Sequence, residues 1–220
     1  MNPFVRNRRY SVVATLGAIL ACLTGFCEVA HAISIGEARQ KPIGAGVNLE
    51  NKVVTKCLSG RFYVEEPNRS AGIAVIQAGR TYAAGTVITI SGNVAQTLEG
   101  ETVIDTAVDT ATGEVTPLVP LGITNSATQL KLTEGLLVEV AGAVVGSRLG
   151  GSTFRIDDGS GLLDDFGNTG LRCRYEIGTP PVNTGYFVKV RGVRGKIQAS
   201  NGNVPVIYLT DPGDITIAVP

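Results

Sequence analysis

Arg61-Phe62-Tyr63-Val64-Glu65-Glu66-Pro67-Asn68-Arg69-Ser70-Ala71-Gly72-Ile73 decides the fold, because the chain states it twice. The second statement is Thr153-Phe154-Arg155-Ile156-Asp157-Asp158-Gly159-Ser160-Gly161, which resumes at Gly170-Leu171 after a short insertion. Each opens on an aromatic, a variable and a β-branched residue, then a pair of acids. Each breaks at Pro or Gly and restarts with Gly and an aliphatic residue. Similarity at an offset of roughly ninety residues means one small domain built twice. Phe62 and Val64 share one side of a strand, with Tyr63 and Glu65 on the other; Phe154 and Ile156 oppose Arg155 and Asp157. After the turn Ile73 and Val75, or Leu171 and Cys173, repeat the inward pattern. The unit is a β-hairpin with one apolar and one wet face.

Upstream, Arg6, Arg8 and Arg9 precede an apolar run from Val12 to Leu23 that ends at Ala30-His31-Ala32. This is the pattern of a signal peptide over residues 1–32, cleaved before Ile33. Acylation at Cys22 is the alternative processing, with the bulky Leu20 against it. The chain is then secreted or periplasmic. Removing 1–32 takes three Arg and one Glu from 19 basic and 19 acidic residues, leaving 16 and 18, a net charge of −2. The single histidine, His31, leaves too, and with it the commonest base and metal ligand. Cys57 and Cys173 remain, in different copies, so a disulfide between them is open. Abundant Gly, one Met and no Trp suit many short strands rather than helices.

In chain order, Ile35–Gln40 reads as one helical turn. Strands are expected at 47–58, across the hairpin, at 86–94 and at 101–109. The second copy gives strands at 136–145, 153–157, 171–176, 186–195 and 204–209, with Asn201-Gly202 as a hairpin turn. Residues 33–111 form domain 1, 112–130 a Pro-containing linker, and 131–220 domain 2.

Five strands, a long first strand and a Gly-rich turn after paired acids resemble the OB-fold, a small Greek-key barrel. Phe62-Tyr63-Val64-Glu65-Glu66 and Ile156-Asp157-Asp158-Gly159-Ser160-Gly161 are similar to the second-strand signature of its nucleic-acid-type members. Ile35-Gly36-Glu37-Ala38-Arg39 followed by Lys52-Val53-Val54-Thr55 is similar to exported bacterial proteins with tandem OB domains. The resemblance implies an all-β protein of two tandem five-stranded OB-fold barrels after a signal segment. It also implies a binding surface on the outer face of strands two and three, with no ligand specified.

Alternate residues give that face. The first barrel offers Arg61, Tyr63, Glu65, Ala74 and Ile76. The second offers Arg155, Asp157, Arg172, Arg174 and Glu176, flanked by Phe187, Lys189 and Arg191. Tyr63, Arg155, Arg172, Arg174, Phe187, Lys189 and Arg191 are therefore the candidate ligand-binding residues: cations to track anions and rings to stack. The competing reading is cross-strand ion pairing with Asp157 and Glu176. Asp157, Asp158, Asp164 and Asp165 suit calcium by chemistry but match no EF-hand spacing, so no metal or cofactor is expected. Without a histidine, and with adjacent carboxylates diverging along a strand, the chain is not expected to be an enzyme. It reads as an exported, non-catalytic binder of a protein or polysaccharide at the cell envelope. The alternative is sequence-tolerant binding of single-stranded nucleic acid through the basic face of the second barrel, against which the net negative charge counts. Oligomeric state stays open.

Overall fold

The structure is a computed structural model that describes residues 32–145, 151–164, 167–199 and 202–219. The expected signal segment, Cys22 and Asp165 lie outside the described residues. A single helical turn, α1 (Ile35–Ala38), opens the described chain, capped by Ser34 and by the Glu66 carboxylate, which accepts from Ile35 N at 2.6 Å. Lys52 neutralises Glu66 at 3.0 Å. Among the described residues no helix is long and apolar enough to cross a membrane.

Five strands follow: β1 (Gly46–Leu58), β2 (Arg61–Glu65), β3 (Gly72–Ile76), β4 (Thr86–Gln96) and β5 (Thr102–Val115). They close in the ring order β1-β2-β3-β5-β4, with β3 and β5 parallel and the other neighbours antiparallel. Phe62, Val64, Ile73, Val75, Ile88, Ile90 and Ile104 fill this barrel.

The second copy repeats the ring. Strands β7 (Leu137–Val145), β8 (Thr153–Asp157), β9 (Leu171–Tyr175), β10 (Phe187–Ala199) and β11 (Gly202–Leu209) run β7-β8-β9-β11-β10, and β10 pairs back onto β7. The β9–β11 pair is again parallel. Phe154, Ile156, Leu171, Cys173, Val188, Val190 and Ile207 fill the interior. Two rings with one topology, each closed around its own apolar core, make this an all-β protein of tandem OB-type barrels.

Two short strands were not expected. β6 (Leu121–Gly122) joins β7 in parallel, and β12 (Ile215–Val219) returns along β10. The stretch between the barrels is thus structured: β5 continues to Val115, β6 follows, and 3-10 turns occupy Ser126–Gln129 and Lys131–Thr133. Cys57 and Cys173 are both free thiols. Cys57 is half-buried in the first barrel, and Cys173 lies wholly inside the second.

Candidate functional site

The expected wet face of the first hairpin is dry. Tyr63 and Ala74, directly opposite each other on β2–β3, are fully buried with Val103 against Val193, Val206 and Tyr208 of the second barrel. Tyr63 therefore leaves the set of ligand-facing residues: its surface is spent on joining the barrels. Alternation told which side of the strand it occupied but not what covered that side.

Polar groups at this interface are partnered, some within a barrel and some across the contact. Arg61 reaches Glu101 at 3.0 Å and stacks over the rings of Tyr63 and Tyr208 at 5.9 and 5.4 Å. Tyr63 Oη donates to Glu101 at 3.1 Å. Burial pushes the Glu101 carboxyl up, Arg61 opposes it, and the result is about 7. Glu134 is the counterpart hub, with Lys196 at 2.7 Å, Arg194 at 3.2 Å and Arg39 at 3.5 Å. Burial raises its carboxyl, but the Lys196 hydrogen bond and the three cations outweigh that and hold it low. Lys56 of β1 grips Asp214, just before β12, at 2.6 Å. Backbones also touch: a Cβ on Gly72 would lie 2.3 Å from the Gly135 carbonyl, and Gly135 itself needs φ +81°. Only glycine fits at that crossing.

The outer side of the second barrel divides the remaining candidates into two sectors. Arg155 and Arg172 stand opposite each other across β8–β9, with Arg174 opposite Thr153. Phe187, Lys189 and Arg191 lie on β10, whose neighbours are β7, β11 and β12 rather than β9. Between β9 and β10 runs β11, whose Val206 and Tyr208 are inside the barrel–barrel contact. The expected continuous basic face is therefore interrupted by barrel closure, and its two halves point in different directions around the ring.

Each cation has an acceptor. Asp164 takes Arg155 at 2.9 Å and Arg172 at 3.4 Å. Glu176 takes Arg174 at 2.8 Å, and Glu139 takes Lys189 at 3.2 Å. Arg191 donates to the Leu118 carbonyl at 3.3 Å, tying down the inter-barrel connection. Arg69, held at φ +59°, does the same at Val119. Phe187 is 46% exposed on β10, where its register partner is Val219 of β12.

Asp157, Asp158 and Asp164, the described acids of that set, each have separate partners. Asp158 accepts from Asn125 N at 2.7 Å and from Ser160 N, while Asp164 faces the arginines. Among the described residues no cluster of His, Cys, Asp and Glu could hold a metal ion. Asp164 is the residue that sequence reasoning undervalued. The available signal was two arginines placed opposite each other beside a long acidic insertion. A cleft of about 340 Å³ lies elsewhere, between α1 and the second 3-10 turn, lined by Gly36, Arg39, Ala71, Lys131 and Leu132.

No protein-family model matches the sequence, and no curated protein matches it either. Similar solved structures include the HINa domain of Ifi202 in complex with a 20-base-pair double-stranded DNA, at 14% identity and TM-score 0.36, covering 80% of this chain and 95% of that one. The p202 HIN1 domain with a 12-mer double-stranded DNA gives 15% identity and TM-score 0.34, covering 81% and 94%. A replication protein A heterotrimer bound to single-stranded DNA gives 10% identity and TM-score 0.26, covering 81% of this chain and 54% of that one. Superpositions this loose say nothing about the ligand of this chain. Its architecture rests on its own strand order: a tandem pair of OB-type barrels joined face to face.

Proposed function

We propose that this chain is a non-catalytic binding protein that takes single-stranded nucleic acid on the β8–β9 face of its second barrel. One observation carries the reading. Of the two equivalent strand-two and strand-three faces, the first is sealed by the other barrel, whereas the second carries Arg174 with its side chain 47% exposed, beside Arg155 and Arg172, which are largely covered by Asp164. Cations on that face of an OB barrel are placed to follow a phosphate chain. The non-catalytic part is supported by the two buried carboxylate hubs, Glu101 and Glu134, being engaged by Arg61, Lys196 and Arg194 inside the barrel–barrel contact.

The test is fluorescence anisotropy with labelled oligo-thymidylate at low salt. Binding should weaken steeply with salt, and Arg172→Ala with Arg174→Ala should weaken it by about tenfold or more. No anisotropy change at low salt would end this reading.

A second reading has its own support. Phe187 of β10 and Ile217 of β12 are each exposed apolar side chains on paired strands, Phe187 two residues from the Lys189 of the Lys189–Glu139 bridge, a surface suited to a protein or polysaccharide at the cell envelope. The Arg-led apolar segment ending at Ala30-His31-Ala32 favours export to meet such a partner. Mass spectrometry of the mature N-terminus decides that point: a free Ile33 or an acylated Cys22 supports export, and an intact Met1 removes it.

A further inference from the structure

Past Tyr63 the next outward residue of β2 is Glu65, which is 2% exposed. A carboxylate taken that far out of water needs partners on both oxygens. The other buried glutamates among the described residues have them. Glu66 accepts from Ile35 N and pairs with Lys52. Glu101 holds Arg61 and the Tyr63 hydroxyl, and Glu134 gathers Arg39, Arg194 and Lys196. Glu65 has one bond among the described residues: its Oε2 accepts from Leu137 N of the second barrel at 3.1 Å. Burial accordingly raises its carboxyl, opposed by that N–H and, through space, by Arg69 and Arg191. Both cations donate instead to the connection between the barrels, Arg191 to Leu118 O at 3.3 Å and Arg69 to Val119 O at 3.1 Å.

Glu65 lines a pocket of about 180 Å³ between the first barrel and that connection. Val53, its partner across β1–β2, is 1% exposed and completes the floor. Pro67 from the hairpin turn and Leu118 and Val119 from the connection supply apolar walls. The volume slightly exceeds the ~150 Å³ that takes up benzene. Arg69 spans the mouth from the hairpin turn to Val119. It is held at φ +59°, a strained conformation for a residue with a side chain, and its guanidinium keeps N–H groups beyond the one that Val119 accepts. An acceptor at the floor and a donor at the mouth thus face one small apolar space without closing on each other. Water satisfies a carboxylate but gives no reason for a cation set across from it. A zwitterion does: its ammonium answers Glu65, its carboxylate answers Arg69, and its two charges cancel as theirs do.

We infer that this pocket binds a free α-amino acid with a short aliphatic side chain, its ammonium donating to Glu65 and its carboxylate accepting from Arg69. The site belongs to the first barrel and its connection, goes beyond the β8–β9 surface proposed above, and stands or fails separately from it. Occupancy stabilises the folded chain.

The experiment is isothermal titration calorimetry of the full chain, with melting temperature as a second readout. L-Leucine is the first probe. L-Leucinamide, which keeps the ammonium and the side chain but lacks the carboxylate, is the second. Leucine should bind saturably and raise the melting temperature, and leucinamide should bind about tenfold more weakly. Glu65→Gln keeps the size of the side chain and an oxygen for Leu137 N, and should weaken leucine binding by about tenfold or more. Arg69→Asn, which tolerates the left-handed backbone, serves if Glu65→Gln does not fold and should bring leucine down to the level of leucinamide. No saturable signal and no melting shift with leucine overturns the site and leaves a water-filled pocket. Equal binding of leucine and leucinamide, or leucine binding undiminished in a folded variant, overturns it as well.

Discussion

At the scale of single residues, Glu101 is where stability and pH meet. Its side chain is 1% exposed, between Arg61 and the Tyr63 hydroxyl. Taking a carboxylate out of water costs more than one nearby guanidinium returns, so burial raises it to about 7. The sign follows from linkage. The neutral form is favoured in the folded state, so the stabilising contribution is full below the ordinary value of 4.5 and is lost as pH rises towards 7. The loss is on the order of 3 kcal/mol. Urea unfolding across this window should show it, and Glu101→Gln should flatten that part of the profile. Parallel profiles for the two chains would show that the carboxyl is ionised throughout. Cys173 gives a second residue-scale test. Burial inside the barrel pushes its thiol far above the ordinary range, whereas Cys57 is only half-buried. Alkylation under native conditions followed by peptide mapping should mark Cys57 and spare Cys173 until the chain unfolds.

Among the elements, β10 carries the tightest constraint. Its Gly195 lies under two rings, where a Cβ would come within 2.6 Å of the Tyr208 ring and 2.7 Å of the Tyr63 hydroxyl. Gly195→Ala should therefore cost about 1–3 kcal/mol by overpacking, measured as a lower denaturant midpoint at unchanged slope. The strands themselves could be read from the chain, since Phe62, Val64, Phe154 and Ile156 alternate with polar residues and end at Pro or Gly turns. Alternation assigns a side, and a side is half of the answer. Tyr63 and Arg155 have the same register, yet one is sealed by a neighbouring barrel and the other by a carboxylate. The covering barrel is remote in sequence, and the carboxylate, nine residues from Arg155, is one acid among several in its stretch, so the candidate site was legible only as residue types. The same limit hid β12, although Ile215 and Ile217 alternate, because its pairing depends on where the chain returns after β11. It also split the basic set, since nothing near Lys189 says that β11 separates it from Arg172.

For the whole molecule, the two barrels stand or fall together. Their contact combines the Tyr63–Tyr208 core with the hubs at Glu101 and Glu134 and the Lys56–Asp214 bridge. Removing one anchor should loosen the coupling rather than one barrel alone. Tyr63→Ala is expected to cost about 3–5 kcal/mol, as for a large aromatic in a core, and to split a single unfolding transition into two. Calorimetry checks this, and one sharp transition retained in the variant would mean that the contact is not what couples them.

The same seam has a consequence for synthesis. Tyr63, Ala74 and Val103 leave the ribosome well before Val206 and Tyr208, which are to cover them. At ordinary elongation rates the delay is roughly 5–20 seconds. Throughout that interval the nascent first barrel is complete but shows an oily flank to the cell. Its yield then depends on a holding chaperone, or on a pace of translation that brings the C-terminal strands before neighbouring chains find that flank.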